Sequence, residues 1–200
     1  MLIGKTVAKT LAISHKKPLI WVNHIEGHVF SLLLERKLEE IEFPVIVLSA
    51  SGGHNDLFLW HSLYEIEKIG GTTDDSAGES MDKVGRSLGL PFPAGRHIDE
   101  LAQKYDPKIH TSIPKFPLVM PADSFGFSFS GLKSAAIREI DIRKKTTSCP
   151  LDKGGQGGLL EQKDLIEISY GYQETITKIL SERLIEAFKK TGAKSMALVG

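Results

Sequence analysis

The sequence lacks an excess of charge of either sign, a second cysteine and any long apolar run. Its 25 lysines and arginines balance 25 aspartates and glutamates, so the overall charge does not indicate a nucleic-acid-binding protein. The single cysteine, Cys149, excludes an internal disulfide and fits a reducing cytosol. No apolar run reaches the length of a membrane helix or forms the core of a signal peptide. We therefore expect a soluble, cytoplasmic protein that does not bind a membrane.

A local charge bias is present at the start of the chain. Residues 1–17 contain Lys5, Lys9, Lys16 and Lys17 but no acidic residue. We interpret this patch as the solvated face of a helix, and the alternative is a local contact with RNA. The hydrophobic content of 41% over 200 residues is ordinary for a globular chain of one or two domains with a sizeable core.

The spacing of apolar residues predicts an α/β fold. Residues 2–13 place Ile3, Val7 and Leu11 on one helical stripe, and Pro18 ends that helix. The stretch "LIWVN" (19–23) predicts a short buried strand that delivers His24 at its end. The next stretch, "GHVFSLLLERKLEE" (27–40), predicts a helix with a histidine in its first turn.

Further elements follow from the same periodicities and from turn residues. Ser76 with Glu79 three residues later is a capping box at the start of a helix. The predicted strands are one at 43–50 that runs into a diglycine, an antiparallel pair over 56–71 that turns near His61 and Ser62, and a buried strand from 195. A short helical piece is predicted at 97–105, and a further helix begins near 127. The last helix spans 164–191 and ends at Gly192. The polar, glycine-rich stretch 144–158 predicts a surface loop.

Two histidines four residues apart, His24 and His28, suggest a metal site. Positions i and i+4 share one face of a helix, so both imidazoles can approach one ion. The order is H-x-E-x-H, which differs from the H-E-x-x-H of zinc proteases. Zinc or iron suits two imidazoles, but a catalytic site needs a third ligand that the spacing does not identify. A packed or solvated histidine pair remains the alternative.

The stretch "SASGGH" (49–54) follows a buried strand, where open α/β sheets bind ligands. Gly52 and Gly53 allow the backbone to approach a bound group closely, and their amides are suited to a phosphate or a carboxylate. The alternative is a tight turn between two strands.

Two aspartates lie in stretches where a ligand contact and ordinary structure are both plausible. Asp82 falls within the predicted helix after the capping box, where it is placed to accept hydrogen bonds from a ribose or a metal-bound water. The alternative is a pair with Lys83 or Arg86. The proline-glycine turn "PFPAGRHID" ends at Asp99 and suits either the rim of a ligand site or plain turn chemistry.

Five motifs occur in a fixed order: "NHIEGH", "SGGH", "DDSAGESMDKVGRSLGLPFP", "FSFSGLKS" and "ALVG". Over nearly its whole length the chain resembles the TsaD family, the tRNA adenosine threonylcarbamoyltransferases that were once described as O-sialoglycoprotein endopeptidases. The resemblance implies a partial actin/hexokinase/Hsp70-like (ASKHA) fold with mixed sheets flanked by helices. It implies that about residues 1–70 form the end of a first subdomain and a crossover, and that 71–200 are a helical part and the start of a second subdomain.

The resemblance also implies an activity and a set of site residues. The family transfers a threonylcarbamoyl group from threonylcarbamoyl-AMP to N6 of the adenosine just after the anticodon, in tRNAs that read codons beginning with A. His24 and His28 match two of three ligands of one Fe²⁺ or Zn²⁺ per subunit. The nucleotide and substrate loop corresponds to Ser49, Ala50, Ser51, Gly52 and Gly53. The positions that hold the adenylate correspond to Asp82, Gly95 and Asp99. The implied partners are tRNA and TsaB-like and TsaE-like subunits.

The chain also departs from the family pattern. The family's part before Met1 is missing, as is the part after Gly200 that supplies the third metal ligand, an aspartate. Ala94 stands where a glycine pair is usual, and Asn55 replaces a threonine. We therefore expect a fragment that is inactive alone. Two further hypotheses remain: a metalloprotease, which requires Glu26 to face a metal-bound water, and a non-catalytic scaffold that binds a TsaB-like partner.

Overall fold

A computed structural model describes residues 2–34, 36–122, 124–147 and 159–200. Its α-helices are α1 (Leu2–Ser14), α2 (His24–Phe30), α3 (Ala77–Leu88), α4 (Ala94–Ala102), α5 (Ser130–Thr147) and α6 (Gln162–Thr191). Its strands are β1 (Val45–Ala50), β2 (Asn55–Ser62), β3 (Glu65–Gly71) and β4 (Ser195–Val199). Short 3-10 helices span Ser31–Leu34 and Leu38–Glu40.

The four strands form one mixed sheet in the order β3-β2-β1-β4. β1 pairs antiparallel with β2 and parallel with β4, and β2 pairs antiparallel with β3. Because side chains alternate across a strand, Ile46 and Leu48 of β1 face one core, whereas Val45 and Val47 face another. The predicted α/β class, the strand at 43–50 and the antiparallel pair over 56–71 are confirmed.

The larger core lies between the sheet and helices α3 to α6. The helix predicted at 164–191 is α6, which supplies the fully buried Tyr172 and Ile179, and Gly192 caps it in a left-handed conformation. The Ser76 hydroxyl accepts from the Glu79 amide at 3.2 Å, and a Glu79 carboxylate oxygen accepts from the Ser76 amide at 3.2 Å. The predicted capping box and α6 are thus confirmed.

The smaller core covers the other face of the sheet. Trp60 of β2 is fully buried and contacts Phe30 and Phe43 edge to face, with ring centroids 5.7 Å and 5.0 Å away. Val29 of α2 is also fully buried in this core. The packing of Val29 and Phe30 fixes α2, and therefore its two histidines, against the sheet.

The predicted strand at 19–23 is wrong. These residues form no strand, and the side chains of Ile20 and Val22 are 81% and 75% exposed. A strand needs a neighbour for its backbone groups, and none of the described strands pairs with this segment. The apolar stripe of the preceding helix, α1, is also uncovered, with Ile3 82% and Leu11 53% exposed.

The predicted helix at 27–40 is also wrong in its bounds. Asn23 caps a helix that begins at His24, and the α-helix ends at Phe30. The Ser31 hydroxyl donates to the His28 carbonyl at 2.7 Å, and the chain tightens into a 3-10 turn. His24 therefore starts a helix instead of ending a strand.

Three smaller differences concern the second half of the chain. The helix predicted at 97–105 begins at Ala94, with Pro93 at the capping position. β4 is an edge strand with Met196 and Leu198 exposed, so only one of its faces is buried as predicted. Residues 144–147 belong to α5 instead of a loop, and the rest of that predicted loop, with Cys149, lies outside the described residues. Within the described residues, no helix is long and apolar enough to span a bilayer.

Candidate functional site

The carboxyl ends of the parallel strands β1 and β4 meet at one edge of the sheet, where α/β proteins bind ligands. Gly200 follows β4 with a φ of +140°, and a Cβ there would lie 2.7 Å from the Ala50 carbonyl. Next to Ala50, the Ser49 side chain is fully buried, and its hydroxyl has no hydrogen-bond partner among the described residues. The edge thus combines close backbone approach with an unsatisfied polar group.

The 51–54 loop after β1 packs against the N-terminus of α3. The Ser76 hydroxyl donates to the Gly52 carbonyl at 2.8 Å, and a Cβ on Gly78 would overlap that carbonyl. The Asn55 side-chain oxygen, which is buried, accepts from the Ala77 amide at 2.7 Å. Gly53 itself is exposed, with nothing within 4 Å of a Cβ placed on it. The loop does join two strands, and it also presents open backbone beside a helix N-terminus.

Asp74, just before α3, fixes the start of α5. Its carboxylate accepts from the hydroxyls of Ser128 at 2.6 Å and Ser130 at 2.5 Å and from the Phe129 amide at 2.9 Å. Partial burial raises the pKa of Asp74, but these hydrogen bonds outweigh it and hold the pKa below its ordinary value. The N-termini of α3 and α5 are therefore tied together by a charged carboxylate.

Asp75 holds two cations beside the same helix starts. Hydrogen bonds from Lys133 at 2.5 Å and from Lys83 lower the pKa of Asp75 below its ordinary value. We had no specific sequence signal for Lys133, which lies 58 residues away in the chain.

Asp82 lies one helical turn after Gly78, on the same face of α3. One of its oxygens accepts from the Ala94 amide at 2.7 Å and so caps α4. None of the described ion pairs joins Asp82 to Lys83 or Arg86. Lys83 pairs with Asp75 instead. Gly95 lies in the first turn of α4 beside Met81, whose sulfur would lie 3.9 Å from a Cβ at position 95.

Asp99 lies further along α4 and bonds to a different helix. Its two oxygens accept from the side-chain amides of Gln103 and Gln173, each at 2.8 Å. The second bond joins α4 to α6. Asp99 is therefore held by helix packing, one turn beyond Gly95 on the same side of α4.

The two histidines of α2 lie edge to face, with ring centroids 4.7 Å apart. Nε2 of His28 is buried and has no hydrogen-bond partner among the described residues, which fits a nitrogen that binds a metal. Glu26 does not line this pair in any described contact; its carboxylate accepts from the Asn23 side-chain amide at 3.1 Å. No group of three or more potential metal ligands occurs within the described ranges.

A cavity of about 430 Å³ connects α2 with the loop after β1. His24 lines it from α2 and His54 lines it from the loop, together with Lys5 and Trp21. We did not single out His54 from the sequence, although its position directly after the diglycine was a usable signal. The structure thus brings His24 beside the "SGGH" loop.

A family model described as "TsaD: tRNA N6-adenosine threonylcarbamoyltransferase" matches residues 1–200. The chain belongs to the TsaD family. Curated relatives of that name include proteins of Halalkalibacterium halodurans (37% identical), Listeria innocua (38%) and Persephonella marina (37%). Each alignment covers 100% of this chain but 52% of the relative. The chain therefore spans about half the length of the curated relatives it matches.

Membership in the TsaD family confirms the predicted ASKHA-like fold and agrees with the mixed sheet flanked by helices. The division into subdomains near residue 70 stays a prediction. Within this framework, the loop at 49–53 meets α3, and α3 carries Asp82 to the start of α4. His24 shares the cavity with His54 of the same loop, whereas Asp99 lies at the contact of α4 with α6. The binding roles of these residues stay predictions.

Proposed function

We propose that this chain takes part in threonylcarbamoyl transfer from threonylcarbamoyl-AMP to N6 of the adenosine beside the anticodon, in tRNAs that read codons beginning with A. The observation that carries the proposal is the family match over all of residues 1–200. The meeting of the diglycine loop, the α3 N-terminus and the histidine pair supports it. The proposal includes TsaB-like and TsaE-like partner subunits and a cytoplasmic location, where tRNA is modified.

The backbone around the diglycine loop would bind the acyl adenylate. Gly52 and Gly53 are exposed beside the N-terminus of α3, and amides at such a helix end favour a phosphate. Asp82 uses one oxygen to cap α4, and its other oxygen has no bond to the described residues, so it would accept a ribose hydroxyl. Gly95 and Asp99 continue this surface along α4, where they would border the adenosine.

His24 and His28 would hold an iron or zinc ion, because the buried Nε2 of His28 lacks another partner and imidazole nitrogen suits both metals. When bound, such an ion supplies Lewis acidity towards a carbonyl oxygen. The third ligand that a catalytic site requires would come from outside the described residues.

Acyl transfer from an adenylate has a good leaving group, so positioning accounts for most of the rate that the protein must supply. The N6 amine attacks the carbamoyl carbonyl, the bond to the AMP phosphate oxygen breaks, and the amine loses a proton. The hydrogen bonds from the Phe129 amide to Asp74 and from the Ala77 amide to Asn55 join the elements around the loop. They would hold the backbone that binds the nucleotide in one arrangement.

The test places this sequence within a full-length TsaD-family protein, incubates it with threonylcarbamoyl-AMP, tRNA, iron or zinc and TsaB-like and TsaE-like subunits, and measures the modified nucleoside by mass spectrometry. We expect product with the wild-type chain and with Glu26→Gln, and none with His28→Ala. Absence of product with every metal and partner would contradict the proposal. Peptide hydrolysis that Glu26→Gln abolishes would instead establish the metalloprotease hypothesis, which no observation now favours.

A further inference from the structure

The carboxylate of Asp99 is held between two helices by neutral side chains. The Gln173 amide of α6 donates to one of its oxygens at 2.8 Å, and the Gln103 amide, just after α4, donates to the other at 2.8 Å. None of the described ion pairs includes Asp99. A carboxylate accepts about four hydrogen bonds, so roughly half of the acceptor positions of Asp99 stay open. The amides, unlike a lysine or arginine, do not neutralise the carboxylate.

The second polar atom of the Gln173 amide is unsatisfied. Because a carboxylate only accepts hydrogen bonds, the NH₂ group must face Asp99, and Oε1 must face away from it. Oε1 is buried and accepts no hydrogen bond from the described residues. A buried acceptor without a partner destabilises a fold, and a methionine of similar length would avoid it. The stability of the helical layer therefore does not explain a glutamine at position 173, whereas the bond to Asp99 does.

Gln173 lies on a part of α6 that is fixed relative to α4. Tyr170, one turn earlier on the same side of α6, stacks on Tyr105 just beyond the end of α4, with ring centroids 3.9 Å apart. At its other end α4 is capped by Asp82, which accepts from the first backbone amide of the helix at 2.7 Å. The helix that carries Asp99 is thus held at both ends, and Gln173 adds a bond that fixes the Asp99 side chain itself.

We propose that Gln173 is a positioning residue, which fixes the carboxylate of Asp99 so that its open acceptor positions face the adenosine portion of the adenylate. This inference rests on the proposed function, in which Asp99 borders the adenosine. Adenosine offers two kinds of donor to a carboxylate: the ribose hydroxyls and the 6-amino group of the base. An acceptor that is already held in one rotamer needs no ordering when the ligand binds, so Gln173 raises the affinity for the nucleotide.

The first test places this sequence within a full-length TsaD-family protein and measures AMP binding by isothermal titration calorimetry. Asp99→Ala should lower the affinity about tenfold, and Gln173→Met should lower it about fivefold because the carboxylate loses its fixed rotamer. The double variant Asp99→Ala/Gln173→Met should bind like Asp99→Ala, since Gln173 acts only through Asp99. The control Gln162→Met makes the same substitution at an exposed position of α6 and should bind like the wild type.

Thermal unfolding of the same proteins separates positioning from a structural role. Gln173→Met removes an unpaired buried acceptor, so its melting temperature should equal or exceed that of the wild type while its AMP affinity falls. A structural role predicts the opposite combination, a lower melting temperature and an affinity loss that does not depend on Asp99.

Nucleotide analogues identify which donor Asp99 accepts. If the ribose donates, the affinity loss in Gln173→Met should shrink for 2′-deoxy-AMP or 3′-deoxy-AMP. If the base donates, the loss should shrink for purine riboside monophosphate, which lacks the amino group. Either result supports the positioning role, whereas an undiminished loss with every analogue overturns it.

The positioning role is also overturned if Gln173→Met keeps the wild-type AMP affinity, or if its loss is as large in the Asp99→Ala background as in the wild type. Measurement of the modified nucleoside separates this inference from the proposed function. If the wild type forms product while Gln173→Met keeps its affinity, only the positioning role is wrong. If the expected affinities are found but no product forms, the threonylcarbamoyl transfer is wrong instead. Absence of AMP binding by the wild type overturns the positioning role, and product formation still decides the proposed function.

Discussion

The helical layer formed by α3 to α6 and the N-terminal segment, residues 2–23, contain similar apolar patterns but bury them very differently. Leu132 of α5 is 1% exposed, whereas Leu11 of α1 is 53% exposed. Both leucines lie on helices with apolar stripes. The difference shows that periodicity determines where a helix forms, and that burial by neighbouring elements determines how much each side chain stabilises the fold.

The helical layer and the N-terminal segment therefore differ in how their side chains contribute to the structure. The helical layer holds the 51–54 loop and the aspartates in fixed positions through buried contacts such as the Asn55 cap. The N-terminal segment leaves Ile3, Leu11 and Trp21 largely exposed, so its side chains contribute little to the packing of the described residues. Substitutions in the two regions should therefore differ in what they change.

The largest effect is expected for Leu132→Ala. Removing a fully buried leucine leaves a cavity in the larger core, so the free energy of unfolding should fall by about 4 kcal/mol. The matched Leu11→Ala should change it by about 0.5 kcal/mol or less, because that side chain is already solvated. Denaturant unfolding measures both values. Equal losses would mean that α1 is packed like the helical layer.

Two glycine substitutions should act in opposite directions. In Gly78→Ala the new Cβ overlaps the Gly52 carbonyl, so the backbone must shift and the free energy of unfolding should fall by about 2 kcal/mol. In Gly4→Ala the methyl group enters open space on α1, and helix propensity should favour the variant by up to about 1 kcal/mol. Thermal unfolding followed by circular dichroism compares them. A neutral Gly78→Ala would contradict the close approach of loop and helix.

Two asparagine caps provide a smaller contrast. Asn55 accepts from the Ala77 amide in a buried setting, and Asn55→Ala should cost about 1.5 kcal/mol because it leaves that amide unpaired. Asn23 accepts from the Ile25 amide at 3.0 Å in an exposed setting, where water replaces the cap. Asn23→Ala should cost about 0.5 kcal/mol. Urea unfolding tests both values, and a larger cost at Asn23 would reverse the comparison.

The smallest effect concerns pH. Burial raises the pKa of Glu167, but hydrogen bonds from Arg143 at 2.7 Å and the Ser112 amide at 3.0 Å outweigh it and lower the pKa below 4.5. Because the pKa of Glu167 is lower in the folded state, its ionised carboxylate stabilises the fold fully above about pH 4.5. This stabilisation is lost as the pH falls through the pKa of Glu167 in the folded state.

Unfolding free energies measured between pH 7 and pH 3 should therefore decrease at the acid end. Part of that decrease should disappear in Glu167→Gln. The N-terminal segment contains no carboxylate, so substitutions there should leave the acid slope unchanged. If the unfolding free energy of Glu167→Gln decreased towards pH 3 as steeply as that of the wild type, Glu167 would not contribute to the decrease.

The sequence predicted those features that depend on local rules. The capping box of Ser76 and Glu79, the helical periodicity of α6 and its end at Gly192 each depend only on residues within a few turns. The diglycine loop was placed correctly after β1 because a continuous apolar strand precedes it. The spacing of His24 and His28 singled out the histidine pair, and the family resemblance supplied the ASKHA-like fold.

Other features depend on distant partners. The apolar stretch 19–23 has strand composition, but it lacks the neighbour that a strand needs among the described residues. The start of α2 at His24 was missed although Asn23 with Glu26 three residues later is a capping pattern. The Asp75 bond to Lys133 and the shared cavity of His24 and His54 arise from tertiary packing, which no local pattern contains.

The most direct test of the nucleotide site is calorimetric titration of the chain with threonylcarbamoyl-AMP, comparing wild type with Gly53→Val. A Cβ at position 53 would have nothing within 4 Å in the protein, so Gly53→Val should leave the fold intact and occupy the space in which the ligand binds. We predict one bound nucleotide per wild-type chain and an affinity at least about tenfold lower in Gly53→Val, equivalent to about 1.4 kcal/mol. No binding to the wild-type chain, or equal affinity in the variant, would contradict the assignment.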